Sequence, residues 1–349
     1  MIILILHILV SLCLLAAVLS VYLPASALPI PAWFGLAFEW LLAAELVLGL
    51  ILLCTKYRRW AWLTLGVLIL SVAPVCYTVS HGALFYPKRE LPHSFTIMTY
   101  NSHMMDESRK PKQNRVIQYI LRTQPDVVCL QEVEVHKSGN KLTLSELREA
   151  LSVYPYTYFD FKVYNSKLQF GNVVFSRYPL IGKHTLRYKS ATNITSVCDI
   201  VLPTDTIRLY TNHLESNKLL REDLDIGTTT EQAQSAFNST SEKLAQASAI
   251  RNEQVKILRS DTERSPHPVL IVGDMNTTPV SYAYRLLQRS MRDAFLESSN
   301  GQLGHTFVKG KLGIRIDYIL HSKQLTATDF DIPHVDYSDH YPVITTIHY

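Results

Sequence analysis

The stretch LIVGDMNTTP, residues 270–279, closes the apolar run Val269–Val272 with a glycine and then presents Asp274 and Asn276. Residues two apart on an extended chain point to one side, so an acid and an amide emerge together where a strand stops. Alone, the pair reads equally well as an Asx-turn that satisfies local backbone. The same grammar recurs along the chain. FTIMTYN (95–101) ends in Asn101, PDVVCLQEVE (125–134) carries Gln131 and Glu132, and IRLYTNHLES (207–216) carries Asn212 and His213. GIRIDYILHS (313–322) sets Asp317 inside an apolar run, and DYSDHYPVI (336–344) offers Asp339 and His340 before a last strand. A turn cap, a solvated strand end or a structural histidine accounts for any one of these. Asp317 differs, because a carboxylate in an apolar strand is costly to bury without a histidine, an arginine or a metal site beside it. Together the residue types suit one chemistry: carboxylate and amide oxygens hold hard cations, and imidazoles beside acids move protons.

Such groups need rigid elements to aim them, and strand ends leading into loops are where folds mount catalytic side chains. Residues 93–349 alternate strand and helix patterns, which predicts an α/β or layered α+β domain. A helix follows the first strand, with Val116, Ile117, Ile120 and Leu121 on one face. The polar, Ser/Thr/Gln-rich stretch 216–248 reads as containing a mobile loop or flap that turns helical toward AIRNEQVKILRS. GNVVFSRYPL and GHTFVKG do not state a substrate, and Arg177 reads as a surface ion pair rather than a phosphate contact.

The 349 residues have a formal net charge of +4, but two regimes lie behind that figure. Residues 1–81 carry only Lys56, Arg58, Arg59, Glu39 and Glu45 as charges, leaving 31 basic and 28 acidic residues on 82–349. That near balance gives no basic footprint for gripping a polyanion, without forbidding nucleic acid. Three transmembrane helices are predicted, at 2–23, from Trp33 to about Cys54, and from Trp60 to about Val79. Trp33, Trp60, Trp62, Tyr77 and Tyr86 fall near their ends, as an aromatic belt requires. KYRR (56–59) is the basic loop that orients them, which puts the later domain on the extracytoplasmic side, periplasmic or extracellular; PKRE (87–90) opposes this weakly. Glu45 is expected to be protonated or paired between helices. Cys129 and Cys198 sit in strand-like runs and read as buried thiols rather than a bridge. The domain boundaries are therefore 1–80 for a membrane anchor, 81–92 for a linker and 93–349 for a soluble domain.

The ordered set TYN, DVVCLQE, TNHL, GDMN, IDYIL and SDHYP resembles the endonuclease/exonuclease/phosphatase superfamily over residues 94–347. Each motif is short, but six in the family's order are specific. The resemblance implies an α+β fold: a four-layer α/β/β/α sandwich of two packed mixed sheets, here preceded by three transmembrane helices. It implies Mg²⁺, or Mn²⁺ in its place, held by Glu132 with Asn101 and Asp339. Asp274 would orient or deprotonate the attacking water, and Asn276 would donate to a phosphoryl oxygen. His340, oriented by Asp339, would be base or phosphate-binding imidazolium, and His213 the general acid for the leaving oxygen. Gln131 and Asp317 would stand behind these, Asp317 supporting His213. RNEQ (251–254) resembles a family helix near the site, with Arg251 structural.

The expected activity is membrane-anchored phosphoester hydrolysis. The expected partners are a lipid bilayer and a phosphate ester, either nucleic acid or a phospholipid headgroup; no protein partner is legible. A catalytically silent tethered module is the competing reading. A transporter would rest on Glu45 alone, and three spans make a poor transporter but an adequate anchor.

Overall fold

The computed structural model describes residues 1–82, 91–165, 167–190, 192–217, 230–299, 302–309 and 312–349. Most of the expected linker, including Tyr86 and PKRE, and residues 218–229 of the expected flap lie outside the described residues. The chain forms two compact units, one of Met1–Thr78, Ser216–Val255 and Thr277–Leu287, the other of Val79–Glu215, Lys256–Asn276 and Gln288–Tyr349.

In the first unit, helices α1 (Ile2–Ser20), α2 (Pro29–Leu36), α3 (Phe38–Leu53), α4 (Ala61–Leu70) and α5 (Val72–Thr78) follow in order. By length and composition α1 can cross a bilayer. The other two expected spans are broken: α2 and α3 meet at 73°, and the segment Arg58–Leu70 meets α5 at 56°. The second bend has local causes. Ser71 Oγ donates to the Val67 carbonyl at 2.8 Å, and Pro74 removes a backbone donor one turn on. Leu14, Ala17, Val21, Phe38, Val67 and Val280 form this unit's core. Glu45 is fully buried and paired: Ser11 Oγ donates to both of its oxygens at 3.0 Å, and His7 Nε2 lies 3.1 Å away.

The second unit holds every strand among the described residues: β1 (Ser94–Asn101), β2 (Val127–His136), β3 (Tyr156–Asn165), β4 (Leu168–Ser176), β5 (Leu180–Leu186), β6 (Ile194–Val201), β7 (Thr206–His213), β8 (Val269–Asp274), β9 (Arg292–Asp293), β10 (Phe307–Lys309), β11 (Leu312–Ile314), β12 (Asp317–His321), β13 (Thr326–Asp331) and β14 (Val343–His348). Two six-stranded sheets run β13-β14-β1-β2-β4-β3 and β5-β6-β7-β8-β12-β9. Each is mixed, with one parallel pair, β1/β2 and β7/β8 respectively. Period two sorts the side chains. Phe95, Ile97, Cys129, Leu209, Val272 and Ile319 face the core shared by both sheets. Met98, Tyr100, Val128 and Leu130 face the other way, onto helices α6 (His103–Ser108), α7 (Arg115–Thr123) and α8 (Leu144–Ala150). The expected helix after β1 is α7, capped by Asn114 Oδ1 accepting from the Ile117 amide at 3.0 Å. Cys129 and Cys198 are buried free thiols, and Arg177 pairs with Asp126 at the surface.

Within the polar stretch the helix begins earlier than AIRNEQVKILRS: residues 230–248 already belong to a 33-residue helix, α9 (Thr230–Thr262). The polarity of this helical part reflects residues exposed to solvent. Buried Arg251 donates to Asn217 Oδ1 within the first unit.

Gly273 shows why a glycine ends the run of β8. Its φ is +116°, and a Cβ there would meet the Asn212 carbonyl oxygen at 2.2 Å, backbone against backbone. Gly273→Ala is expected to cost at least ~3 kcal/mol, seen as a lower thermal midpoint by near-UV circular dichroism; an unchanged midpoint would refute this.

Candidate active site

Strand register assembles one half of the site. His213 pairs with Asp274 across β7/β8, and Asp317 pairs with Asp274 across β12/β8. Three side chains that the chain separates by dozens of residues thus stand on three adjacent strands. On the other sheet Asn101 pairs with Gln131 at the ends of β1 and β2. Asn101 Nδ2 joins the two sheets, donating to Glu132 Oε1 at 3.1 Å and to Asp274 Oδ2 at 3.0 Å.

Glu132 reaches this cluster through an irregularity. The β2/β4 register shifts between Leu130 and Val133, and Glu132 takes φ +53°. A non-glycine residue in the left-handed region is strained, and such strain gathers at functional sites. Gln131 beneath it is buried, donating to Thr99 Oγ1 and the Cys129 carbonyl. Asn276, also left-handed at φ +51°, donates its amide to Asp274 Oδ1 at 2.8 Å and its side chain to the Leu214 carbonyl at 2.9 Å. The Asx-turn and the site corner are therefore one arrangement.

The pairing of His340 departs from expectation. Its Nδ1 lies 2.8 Å from Asp317 Oδ2, so Asp317 and not Asp339 orients the ring. The second expectation for Asp317 is corrected with it, since its partner is His340 rather than His213. Asp339 points elsewhere, its side chain 43% exposed and 3.5 Å from His103 Nδ1. Adjacent residues diverge from the backbone, so neighbours in sequence are poor candidates for a dyad.

GHTFVKG supplies a support that sequence reasoning missed. Thr306 Oγ1 accepts from the amides of Ile316 at 3.1 Å and Asp317 at 3.0 Å. The Thr306 carbonyl accepts from the Tyr341 amide, and the Phe307 ring stands edge-on to His340 with centroids 5.0 Å apart. Thr306 and Phe307, where short strand β10 begins, thus hold both ends of the Asp317–His340 pair. Only a threonine beside an aromatic marks it in the sequence, which is no signal by itself.

Charge follows geometry. Burial works to raise the Glu132 pKa, but the hydrogen bond and charge of His213, with Asn101 and His340, hold it near 2. His213 is raised against its burial by Glu132 at 3.3 Å and by Asp274. Burial raises Asp274 to about 6, with Asp317 adding to it. Burial pulls His340 down, yet Asp317 and Asp274 lift it to about 10.

The donor set fits a hard divalent cation. Ligand atoms of Asp274, Asp317 and His340 lie within 4.8 Å of one another, all buried, and Asp317 Oδ1 has no partner among the described residues. Glu132, 25% exposed, adds a reachable carboxylate.

Two mixed sheets with outer helices, and carboxylates, amides and imidazoles at their strand ends, define an α+β phosphoesterase-type protein. The Endonuclease/Exonuclease/phosphatase family matches residues 98–340, and the chain belongs to that family. Its members are generally hydrolases of phosphoester bonds and typically depend on a divalent metal. Among solved structures, an endonuclease/exonuclease/phosphatase from Beutenbergia cavernae is similar at 19% identity and TM-score 0.56, covering 73% of this chain and 71% of that one. One from Bacteroides vulgatus is similar at 17% and 0.51, covering 73% and 99%. Humanized D. rerio TDP2 with 14 mutations is similar at 15% and 0.51, also covering 73% and 99%. No curated protein matches the chain.

Proposed function

We propose that the protein is a membrane-anchored, Mg²⁺-dependent phosphodiesterase. The observation that carries this reading is the buried network in which Asn101, Glu132, His213, Asp274 and the Asp317–His340 pair meet. Glu132, with Asn101 beside it, would hold the metal. Glu132 is preferred to the Asp274/Asp317/His340 group because His340 Nδ1 is already engaged by Asp317 at 2.8 Å and that group is buried, whereas the Glu132 side chain is 25% exposed. Bound there, a divalent cation supplies Lewis-acid stabilisation of charge on a phosphoryl oxygen.

The remaining steps belong to side chains. Asp274, held by the Asn276 amide, takes a proton from the attacking water or orients it. His340, cationic at neutral pH and steered by Asp317, holds a phosphoryl oxygen. Asn276 donates to the same group. His213, its pKa raised by Glu132, releases a proton to the leaving oxygen. Asp339, at the rim, helps hold His340 in its charged form.

Anchoring is read from the first unit: α1 suits a bilayer, and Leu9, Leu12, Leu50, Trp62 and Ile69 are all exposed on its helices. Residues 1–80 serve as anchor and 93–349, apart from Ser216–Val255 and Thr277–Leu287, which cluster with the N-terminal helices, as the catalytic domain, facing the extracytoplasmic side that KYRR favours. This placement favours a phospholipid headgroup as substrate over nucleic acid, for which 82–349 has no basic footprint.

The test uses the full chain in mild non-ionic detergent, with Mg²⁺ and again with EDTA. The substrates are an aryl phosphodiester, phospholipid in mixed micelles, and supercoiled plasmid. Mg²⁺-dependent cleavage of the aryl diester with headgroup release is expected. Nicking without headgroup release would transfer the substrate to nucleic acid. No turnover of any substrate would leave a silent module.

A further inference from the structure

A groove of about 510 Å³ runs between α3 and α4, lined by Leu46, Leu50 and Leu53 on one side and Leu65 and Leu68 on the other, with Arg58 and Arg59 at its end. We infer that this groove binds one anionic phospholipid, an acyl chain along the leucines and the phosphate against the two arginines.

Four observations converge on that occupant. The volume lies within the range of small-ligand sites. The leucines from Leu46 to Leu53 rise along α3 by about 10 Å, a linear apolar track suited to a hydrocarbon chain rather than a compact solute. Gly49 brings the helices together at the floor: a Cβ there would lie 2.6 Å from Thr64 Oγ1, so the groove is closed beneath and open outward. Arg58 and Arg59 are exposed, side by side in the turn before α4, and neither meets a carboxylate among the described residues. The two acids of residues 1–81 do not neutralise them, for Glu39 lies at the far end of α3 and Glu45 is buried against Ser11 and His7.

A guanidinium pair binds phosphate through forked, charge-assisted hydrogen bonds. Each basic residue at an anionic membrane surface contributes about 1 kcal/mol, so two correspond to roughly 30-fold in affinity. A zwitterionic lipid fits the apolar track equally well but gains less at the arginines.

The inference rests on the reading that these helices lie in a bilayer. The full chain would first be floated with vesicles of phosphatidylcholine alone. It would then be released into micelles with equal phosphatidylglycerol and phosphatidylcholine, and retained lipid read by native mass spectrometry. One phosphatidylglycerol is expected, at least 10-fold over phosphatidylcholine. Arg58→Gln with Arg59→Gln removes that preference, and Lys56→Gln, outside the groove, keeps it. Leu50→Trp, which fills the track, lowers retention of both lipids. Insertion without a phosphatidylglycerol preference, or a preference that survives the double substitution, overturns the groove and leaves the anchor standing. Failure to float with vesicles overturns both.

Discussion

His340→Ala is expected to lower kcat on a phosphodiester about 10³-fold, near 4 kcal/mol of barrier, with KM changed far less. The ring sits where two carboxylates converge, Asp317 Oδ2 at 2.8 Å and Asp274 Oδ2 at 3.8 Å. Against its burial, these charges lift its pKa to about 10, so it enters the reaction as a cation that meets developing negative charge. Asp317→Asn should approach the loss of His340→Ala, whereas Asp339→Asn should cost about tenfold or less. Equal losses at Asp317 and Asp339 would restore the expectation that both acids serve the ring. Linkage adds a check that needs no turnover. A histidine with a raised folded pKa stabilises the fold fully below its unfolded value of about 6.5, and the gain disappears as pH climbs through 10. Metal-free protein should therefore lose thermal stability between pH 7 and 10. His340→Ala should show a flatter profile, and identical profiles would contradict the assignment.

Glu132→Gln should shift the Mg²⁺ needed for half-maximal activity upward by at least 10- to 100-fold, the range seen even for residues that only support metal ligands, and lower kcat as well. Two effects combine. The variant loses the anionic oxygen that a hard cation prefers. It also removes the charge at 3.3 Å that raises the His213 pKa, which weakens the proposed acid for the leaving oxygen. Because Glu132 is held near pKa 2, wild-type metal affinity should not fade until pH drops well below the ordinary carboxylate range. Metal titration followed by Mn²⁺ relaxation reads binding directly. An unchanged titration would move the cation to the Asp274/Asp317/His340 cluster.

Much of this architecture is legible in the amino-acid sequence. Apolar runs marked β1, β2, β7, β8 and β12, and polar residues at the ends of the first four runs, Asn101, Gln131, His213 and Asp274, lie where the sheets converge. Asp317 announced itself as an acid that needed a partner. What strand patterns cannot carry is register across the sheet, since a pattern repeats every two residues and pairing is set by packing and turns. The alignment of His213, Asp274 and Asp317 is such a fact.

Other features hid for separate reasons. The left-handed backbone at Glu132 uses no glycine, so nothing local signals the irregularity that turns it toward Asn101. The polar composition of 216–248 resembled a loop, yet from Thr230 the chain is helical because one stripe of Leu244, Ala247, Val255 and Leu258 finds something to bury against. Hydropathy marked three apolar stretches but not the bends at Ala37 and Ser71. The sequence alone determined which residue types stand at strand ends, and hence the family and its chemistry, because short-range periodicity and composition are local properties. Tertiary structure alone decided that His340 belongs to Asp317 rather than to its neighbour Asp339, because a dyad is chosen by where two side chains converge in space.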